Sequence, residues 1–513
     1  MSGGFVLAID QGTTGTTALL LDAAGRVRGR GYAELTQHFP RPGWVEHDGQ
    51  DIWLTVLRAI SQALRVAESG GDRVAAIGIT HQRETTLLWS RSTGEPVARA
   101  IVWQDRRTAD RCASLRRAGL EREVRGRTGL VLDPYFSATK LEWMLRHHGG
   151  LRPRAKRGEL AFGTVDSWLL WKLTGGAVHA TDPTNASRTL LYDICRLRWD
   201  ERLLEVFGVP PSVLPQVMPS SGVFGRTHGA SVVPDGIPIA GIAGDQQAAL
   251  FGQGCVEAGE SKNTYGTGCF LLLHTGTRRV ASRSGLLTTV ACGPHGEPAY
   301  ALEGSVFIAG AALQWLRDGL GILERAAESG EMARSLDDSG GVVMVPAFVG
   351  LGAPYWRPDV RGALLGLTRG TTRAHIVRAT LESLAFQTRD LIEAMARDAA
   401  RARPGRGASS GASVRGIRVK LLRVDGGAAA NDFLMQYQAD LLGIPVQRPH
   451  VVETTALGAG LLAGLGIGFW GSHHDLDRAR RIERVFAPAR PKPWRDAEYR
   501  RWQRAVRALL AMR

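Results

Sequence analysis

The segment Ile237–Leu273, IPIAGIAGDQQAALFGQGCVEAGESKNTYGTGCFLLL, decides the reading of the whole chain. Its apolar start, Ile237 to Ile242, has the composition of a buried strand and ends in Gly244-Asp245-Gln246-Gln247, after which small residues from Ala248 to Gly252 predict a helix. Polar side chains at the junction of strand and helix are where a parallel α/β sheet meets its ligand, and the carboxylate of Asp245 suits a general base. Two further β-patterned runs flank the turn Gly266-Thr267-Gly268. Such a turn exposes N–H groups and a hydroxyl, the donors that a phosphate needs.

The same grammar occurs at the start of the chain. Phe5–Asp10 reads as a buried strand and Ala18–Leu21 as another, joined by Gln11-Gly-Thr-Thr-Gly-Thr-Thr17. That is a hairpin whose tip, including Thr13 and Thr14, carries donors. Asp10, at the end of the strand, needs a partner if buried, and it suits either an ordinary Asp-Gln-Gly turn or a magnesium ion held through water. In the first half the hairpin is followed by a strand-like run (Val27–Ala33), an amphipathic helix (Asp51–Glu68) and a buried strand (Val74–Thr80). In the second half strands are expected near Leu286–Ala291 and Pro298–Glu303, then a helix from Ser305 to Gly319. Two halves that repeat hairpin, strand and helix predict duplicated domains with a nucleotide between them.

Further polar clusters follow predicted strands. His81-Gln82-Arg83-Glu84 presents a donor fork beside an acceptor pair, suited to a polyhydroxy compound or to a surface ion pair. Ile101–Arg106 adds Trp103 as an apolar wall, and a loop with Tyr135 leads into a helix that Ser137 would cap. Pro210–Pro238 lacks periodicity and reads as a surface excursion. The predicted strand Ile417–Val424 delivers Asp425-Gly426-Gly427-Ala428, with Asn431 opening a helix, a combination that admits an anion close to the backbone. Residues 402–416 form a low-complexity basic insert, expected to be a flexible loop, and His473-His474-Asp475 reads as a solvated loop in preference to a metal site.

Composition narrows the classes. At 513 residues two large domains are expected, 1–250 and 251–513. No apolar run is long enough to span a membrane and the N-terminus lacks a signal-peptide shape, so a cytoplasmic protein is expected. The five cysteines form no C-x-x-C pair, which argues against a disulfide framework or a zinc site. The net charge of +15 comes from 64 basic against 49 acidic residues, but the arginines are scattered, which disfavours nucleic-acid binding. No G-x-x-x-x-G-K-[ST] loop and no protein-kinase signature occur, so phosphates would be gripped by the paired hairpins.

These motifs together resemble the FGGY family of carbohydrate kinases over nearly the whole chain. The resemblance is carried by Asp10-Gln-Gly-Thr-Thr14, His81–Glu84, Trp103–Arg106, Tyr135–Trp143, Thr181–Arg188, Gly241–Gln247, Asn263–Phe270, Gly362–Glu382 and Asp425–Ala428. It implies an α/β fold of two duplicated ribonuclease-H-like, actin-type ATPase domains around a central cleft, with ATP and Mg²⁺ as cofactors. The His81–Glu84 and Thr184–Arg188 blocks imply glycerol as the acceptor, phosphorylated to sn-glycerol 3-phosphate. Kinases of other polyols or sugars, and a non-catalytic actin-like ATP-binding scaffold, are the alternatives.

Carried over by position, the resemblance implies that Arg83, Glu84, Tyr135, Asp245 and Gln246 hold glycerol, with Trp103 and Phe270 along its carbon edge. Asp245 would be the base, and Asp10 would organise the metal together with it. Thr13, Thr14, Gly266, Thr267, Gly310, Gln314, Gly427 and Asn431 would bind the nucleotide. A homodimer or homotetramer is expected. The chain departs from the family at Thr17, where relatives often carry arginine, and at Gly229–Gly236, where the basic loop that binds an inhibitory sugar bisphosphate in some bacterial relatives is replaced by GASVVPDG. Inhibition by fructose 1,6-bisphosphate through that loop is therefore not expected.

Overall fold

The computed structural model describes residues 4–68, 70–357, 359–401, 417–471, 475–477 and 480–512. The basic insert at 402–416 and the pair His473-His474 lie outside the described residues. The chain divides into two compact units, Met1–Val256 with Thr288–Tyr300 and Thr454–Arg480, and Glu257–Leu287 with Ala301–Glu453 and Arg481–Arg513. The first unit thus also takes two segments, 288–300 and 454–480, from beyond the boundary expected near residue 250.

The first unit is built on strands β1 (Phe5–Gln11), β2 (Gly15–Leu21), β3 (Val27–Glu34), β4 (Val74–His81), β5 (Ser221–Arg226) and β6 (Pro238–Gly244), ordered β3-β2-β1-β4-β6-β5. β1, β2 and β3 form an antiparallel meander, whereas β1, β4 and β6 are parallel. Leu7, Ile9, Leu20, Ile77, Ile79 and Ile242 are fully buried in its core. Helix α1 (Gly49–Val66) starts at Asp48, whose side chain accepts from Gln50 N. It packs Ile52, Val56, Ala59, Ile60 and Ala63 at helical spacing onto the β2 and β3 side. The excursion expected over 210–238 contains β5, the antiparallel edge strand, whose pairing with β6 is irregular.

The segment that returns to this unit is helix Thr454–Gly466, TTALGAGLLAGLG, which packs on β1, β4, β6 and the helix Asp245–Gly252. The approach is set by missing side chains. A Cβ on Gly78 would collide with Ala459 O, one on Gly241 with Ala463 N, and one on Gly458 with Ala248 O. Backbone-to-backbone packing of this kind needs glycine on both partners.

The second unit repeats the plan. Its strands β7 (Glu260–Tyr265), β8 (Cys269–Gly276), β9 (Pro298–Val306), β10 (Leu421–Asp425), β11 (Val446–Pro449) and β12 (Ile482–Phe486) run β9-β8-β7-β10-β11-β12. Again an antiparallel hairpin (β7, β8) feeds a strand that is parallel to the fourth and fifth, β10 and β11, with an antiparallel edge strand beyond. The core holds Leu271, Leu302, Leu384, Phe386, Val424 and Trp502, with the Phe386 and Trp502 rings stacked at 5.4 Å. The helix expected over 305–319 is shorter: β9 continues to Val306, and a helix of five residues, Gly310–Gln314, passes into a π turn at Trp315–Gly319. The expected strand near 286–291 forms as Leu287–Cys292.

Candidate functional site

Register brings the polar strand ends of the first unit into one row. Gln11 pairs with His81, and His81 with Gly244. Asp10 and Gln11, the Gln82–Glu84 loop and Asp245 therefore emerge along the same carboxyl edge of three parallel strands, the edge at which such sheets bind ligands. Gln82 N donates to Gln11 O at 2.8 Å, and Gln82 Nε2 donates to Gln11 Oε1 and Gly12 O at 3.1 and 3.2 Å, tying the loop to the first hairpin. Below the row, His81 Nε2 lies 3.1 Å from Asp166 Oδ1, both side chains being fully buried. Burial favours neutral His81, but the charge and hydrogen bond of Asp166 outweigh it and hold the imidazole above its ordinary range. Asp166 also accepts from Thr164 and Thr181, at 2.5 and 2.6 Å.

Arg83 and Glu84 are not the surface pair that their sequence context allowed: their side chains are 2% and 1% exposed. Arg83 Nε lies 2.9 Å from Asp245 Oδ1, and its Nη1 donates to Gln247 Oε1 at 3.2 Å. Glu84 adopts φ +62, a region costly for a residue with a side chain and kept only where surroundings enforce it. The enforcement is visible. Its carbonyl oxygen accepts from Ser137 Oγ at 3.1 Å, Lys140 Nζ at 3.2 Å and Thr86 Oγ1 at 3.1 Å, while its carboxylate accepts from Arg188 Nε at 2.6 Å.

Ser137 is thus not the expected cap of helix α2 (Ser137–His147). Phe136, whose side chain has no polar atom, holds the N-cap position, and the Ser137 hydroxyl donates to Glu84 O instead. Lys140, on the same helix face, also donates to Tyr135 O at 2.6 Å, and burial pushes its ammonium down to about 7 against the attraction of Glu84 and Asp105. Trp103 Nε1 donates to Thr13 Oγ1 at 2.9 Å, and the Trp103 and Tyr135 rings meet edge-on at 5.6 Å.

Asp245 opens the helix Asp245–Gly252, where the helix dipole favours a carboxylate, and its Oδ1 accepts from Gln246 N at 2.6 Å. Arg83, Glu84, Trp103, Tyr135, Thr13, Asp245 and Gln246 are therefore joined through these contacts and the strand ends. Asp10, half-buried, faces Thr17 and Thr80 across the ladder. Thr14 is exposed at the tip, where its carbonyl oxygen accepts from Leu35 N. Among the described residues no group of three His, Cys, Asp or Glu side chains is arranged to hold a metal ion.

The second unit gathers the other expected residues. Gly266 and Thr267 are exposed at the tip between β7 and β8, and Gly266 O and Thr267 O accept from Gly310 N and Ala309 N at 3.0 and 2.8 Å. A Cβ on Gly310 would press on Gly266 O at 2.6 Å, so the short helix can sit on the tip only with glycine there. Gln314 is exposed at its end, and Phe270 is half-buried opposite Thr264. Thr264 also pairs with Asp425, which places the turn Gly426-Gly427 after β10 just where the first unit has Gln82–Glu84 after β4. Gly427 is exposed. Asn431 caps α3 (Asp432–Leu442) by accepting from Leu434 N at 3.1 Å, and its Nδ2 donates to Ser329 Oγ.

Lys140, Arg188 and Gln247 had no assigned role in the sequence. The signal for Lys140 was its spacing from Ser137, three residues earlier on the same helix; Arg188 closes a polar turn with nothing local to mark its distant partner.

Comparison with known proteins gives the following. The N-terminal domain of the FGGY family of carbohydrate kinases matches residues 5–252, and the C-terminal domain of that family matches residues 261–467. The glycerol kinase of Halorhodospira halophila is 56% identical over 503 residues, 98% of this chain and 96% of its own length. That of Symbiobacterium thermophilum is 55% identical, covering 99% and 98%. A crystal structure of Plasmodium falciparum glycerol kinase with ADP superposes with a TM-score of 0.91 at 33% identity, over 100% of this chain and 99% of that one.

Proposed function

Since the chain belongs to the FGGY family of carbohydrate kinases, we infer from its likeness to glycerol kinases that it is an enzyme transferring the γ-phosphoryl group of ATP to glycerol. The observation that carries the reading is the buried Arg83 beside Asp245 and Glu84 at one strand edge, which offers a hydroxyl-bearing acceptor a donor fork, a base and an acceptor pair.

In this reading Arg83, Glu84, Tyr135, Asp245 and Gln246 bind the hydroxyls, and Trp103 and Phe270 take the carbon edge. Asp245 accepts the proton of a terminal hydroxyl as its oxygen bonds to the γ-phosphorus and the bond to the β-phosphate oxygen breaks, leaving ADP. Phosphoryl transfer of this kind rests on positioning and charge stabilisation more than on covalent help from the protein. Thr13, Thr14, Gly266, Thr267, Gly310, Gln314, Gly427 and Asn431 serve the nucleotide, with hairpin N–H groups as the phosphate donors.

Magnesium takes one or two carboxylates and otherwise waters and phosphate oxygens, so the pair Asp10 and Asp245 suits it and a three-carboxylate nest is not required. When bound it would neutralise phosphate charge. A homodimer or homotetramer and a cytoplasmic location complete the proposal; among the described residues no helix is long and apolar enough to cross a membrane.

The test is ATP-dependent phosphorylation of glycerol, dihydroxyacetone, erythritol, xylulose and gluconate side by side. Glycerol preferred supports the reading; turnover of another acceptor alone would reassign the pocket.

A further inference from the structure

Lys140 is fully buried, and its ammonium donates to two main-chain carbonyls that belong to residues assigned to the acceptor, Glu84 at 3.2 Å and Tyr135 at 2.6 Å. Those residues come from different elements, the loop after β4 and the loop before α2. Glu84 O is the same oxygen that receives Ser137 Oγ, one helical turn before Lys140. The residue so held has φ +62, so its side-chain direction depends on contacts that keep the main chain there. An ammonium removed from water is costly, and an aliphatic side chain of equal length would fill the same space without that cost. What the aliphatic chain cannot do is fix two carbonyls at once.

We propose that Lys140 is a positioning residue for the acceptor: by bridging the main-chain oxygens of Glu84 and Tyr135 it sets the separation of two side chains that grip the polyol, and so favours a three-carbon acceptor over longer ones. The inference rests on the glycerol reading above. Lys140 touches neither substrate; it acts through the two residues it joins. Arg188 complements it from the other side, since its guanidinium holds the Glu84 carboxylate and lies 5.7 Å from the Tyr135 ring.

The experiment compares the full-length wild type with Lys140→Met and Lys140→Gln, the latter keeping an uncharged donor in case the former does not fold. Steady-state constants are measured for glycerol, erythritol and ATP. The expected result for Lys140→Met is a rise of about tenfold or more in KM for glycerol, as loss of charged hydrogen bonds at a binding site produces. KM for ATP stays near the wild-type value, and the preference for glycerol over erythritol narrows. Lys140→Gln falls between. Combined with Tyr135→Phe, the effects on glycerol KM are less than additive, because both act through one side chain.

Unchanged glycerol KM and selectivity in both variants would overturn the inference. So would equal loss in glycerol KM, ATP KM and kcat, which marks a general structural role. A wild type that does not turn over glycerol would instead overturn the functional reading, and the inference with it.

Discussion

Trp103 Nε1 donates to Thr13 Oγ1 at 2.9 Å, so the residue read as the apolar wall for the acceptor is fastened to the tip of the hairpin formed by β1 and β2. A change in the hairpin should therefore reach the acceptor. Thr13→Val removes the oxygen while keeping the shape, and leaves the indole N–H without its partner. KM for glycerol should rise roughly fivefold, equivalent to about 1 kcal/mol for one hydrogen bond, alongside any change for ATP. A Thr13→Val enzyme altered only in its ATP constants would show that the bond does not couple the two.

The pair Arg188 and Glu84 is buried on both sides, at 0% and 1% side-chain exposure. Removing one member takes from the other, away from water, its counter-charge at 2.6 Å; beside Glu84, Arg83 then remains at 3.9 Å. Arg188→Met should lower unfolding free energy by about 3 kcal/mol, whereas the double change Arg188→Met with Glu84→Gln should recover part of that loss. Urea titration followed by tryptophan fluorescence measures both. Equal loss in single and double variants would contradict the buried-pair account.

Asp390 should give the protein a stability that declines with rising pH. Burial pushes its carboxyl up to about 6, in spite of the lowering bonds from Tyr499 OH and Trp502 Nε1. Between about pH 4, where an unfolded aspartate titrates, and pH 6, the folded chain keeps a proton that the unfolded chain has lost. Unfolding free energy therefore falls as pH rises through that window, by about 3 kcal/mol for a shift of this size, and stays lower above it. Asp390→Asn, which cannot ionise, should lose this slope. Its melting temperature should gain on the wild type between pH 5 and pH 7, and a constant difference across that range would count against the assignment.

The hairpins, the Asp-Gln-Gly junction and the Asp425-Gly-Gly turn were legible in the sequence because each is local: apolar alternation, a glycine where the chain turns, and a polar residue at the strand end. Burial of Arg83 and Glu84 was not, since the partners that make it tolerable, Arg188 and Gln247, lie far along the chain. Strand β5 escaped notice because Ser221–Arg226 has two glycines and an irregular register. The helix Thr454–Gly466 is apolar all round, which marks it as buried, but no local pattern says that it covers the first sheet and not its own half.

That helix makes a sharp prediction. A methyl group on Gly458 would meet the carbonyl of Ala248, one turn from Asp245, the proposed base, on the same helix. Gly458→Ala should cost about 2 kcal/mol through backbone displacement and lower kcat by moving Asp245. Thermal melting and steady-state kinetics read the two effects. Wild-type stability in the variant would mean that the two helices are less tightly apposed than described.

The most direct measurement is the rate of ATP-dependent sn-glycerol 3-phosphate formation by the wild type and by Asp245→Asn, with circular dichroism confirming that both are folded. The account predicts rapid turnover of glycerol by the wild type and a loss of about a hundredfold or more in kcat when the carboxylate becomes an amide, the range expected for a general base. A folded Asp245→Asn enzyme with wild-type kcat would contradict the central claim that Asp245 receives the proton of the attacking hydroxyl.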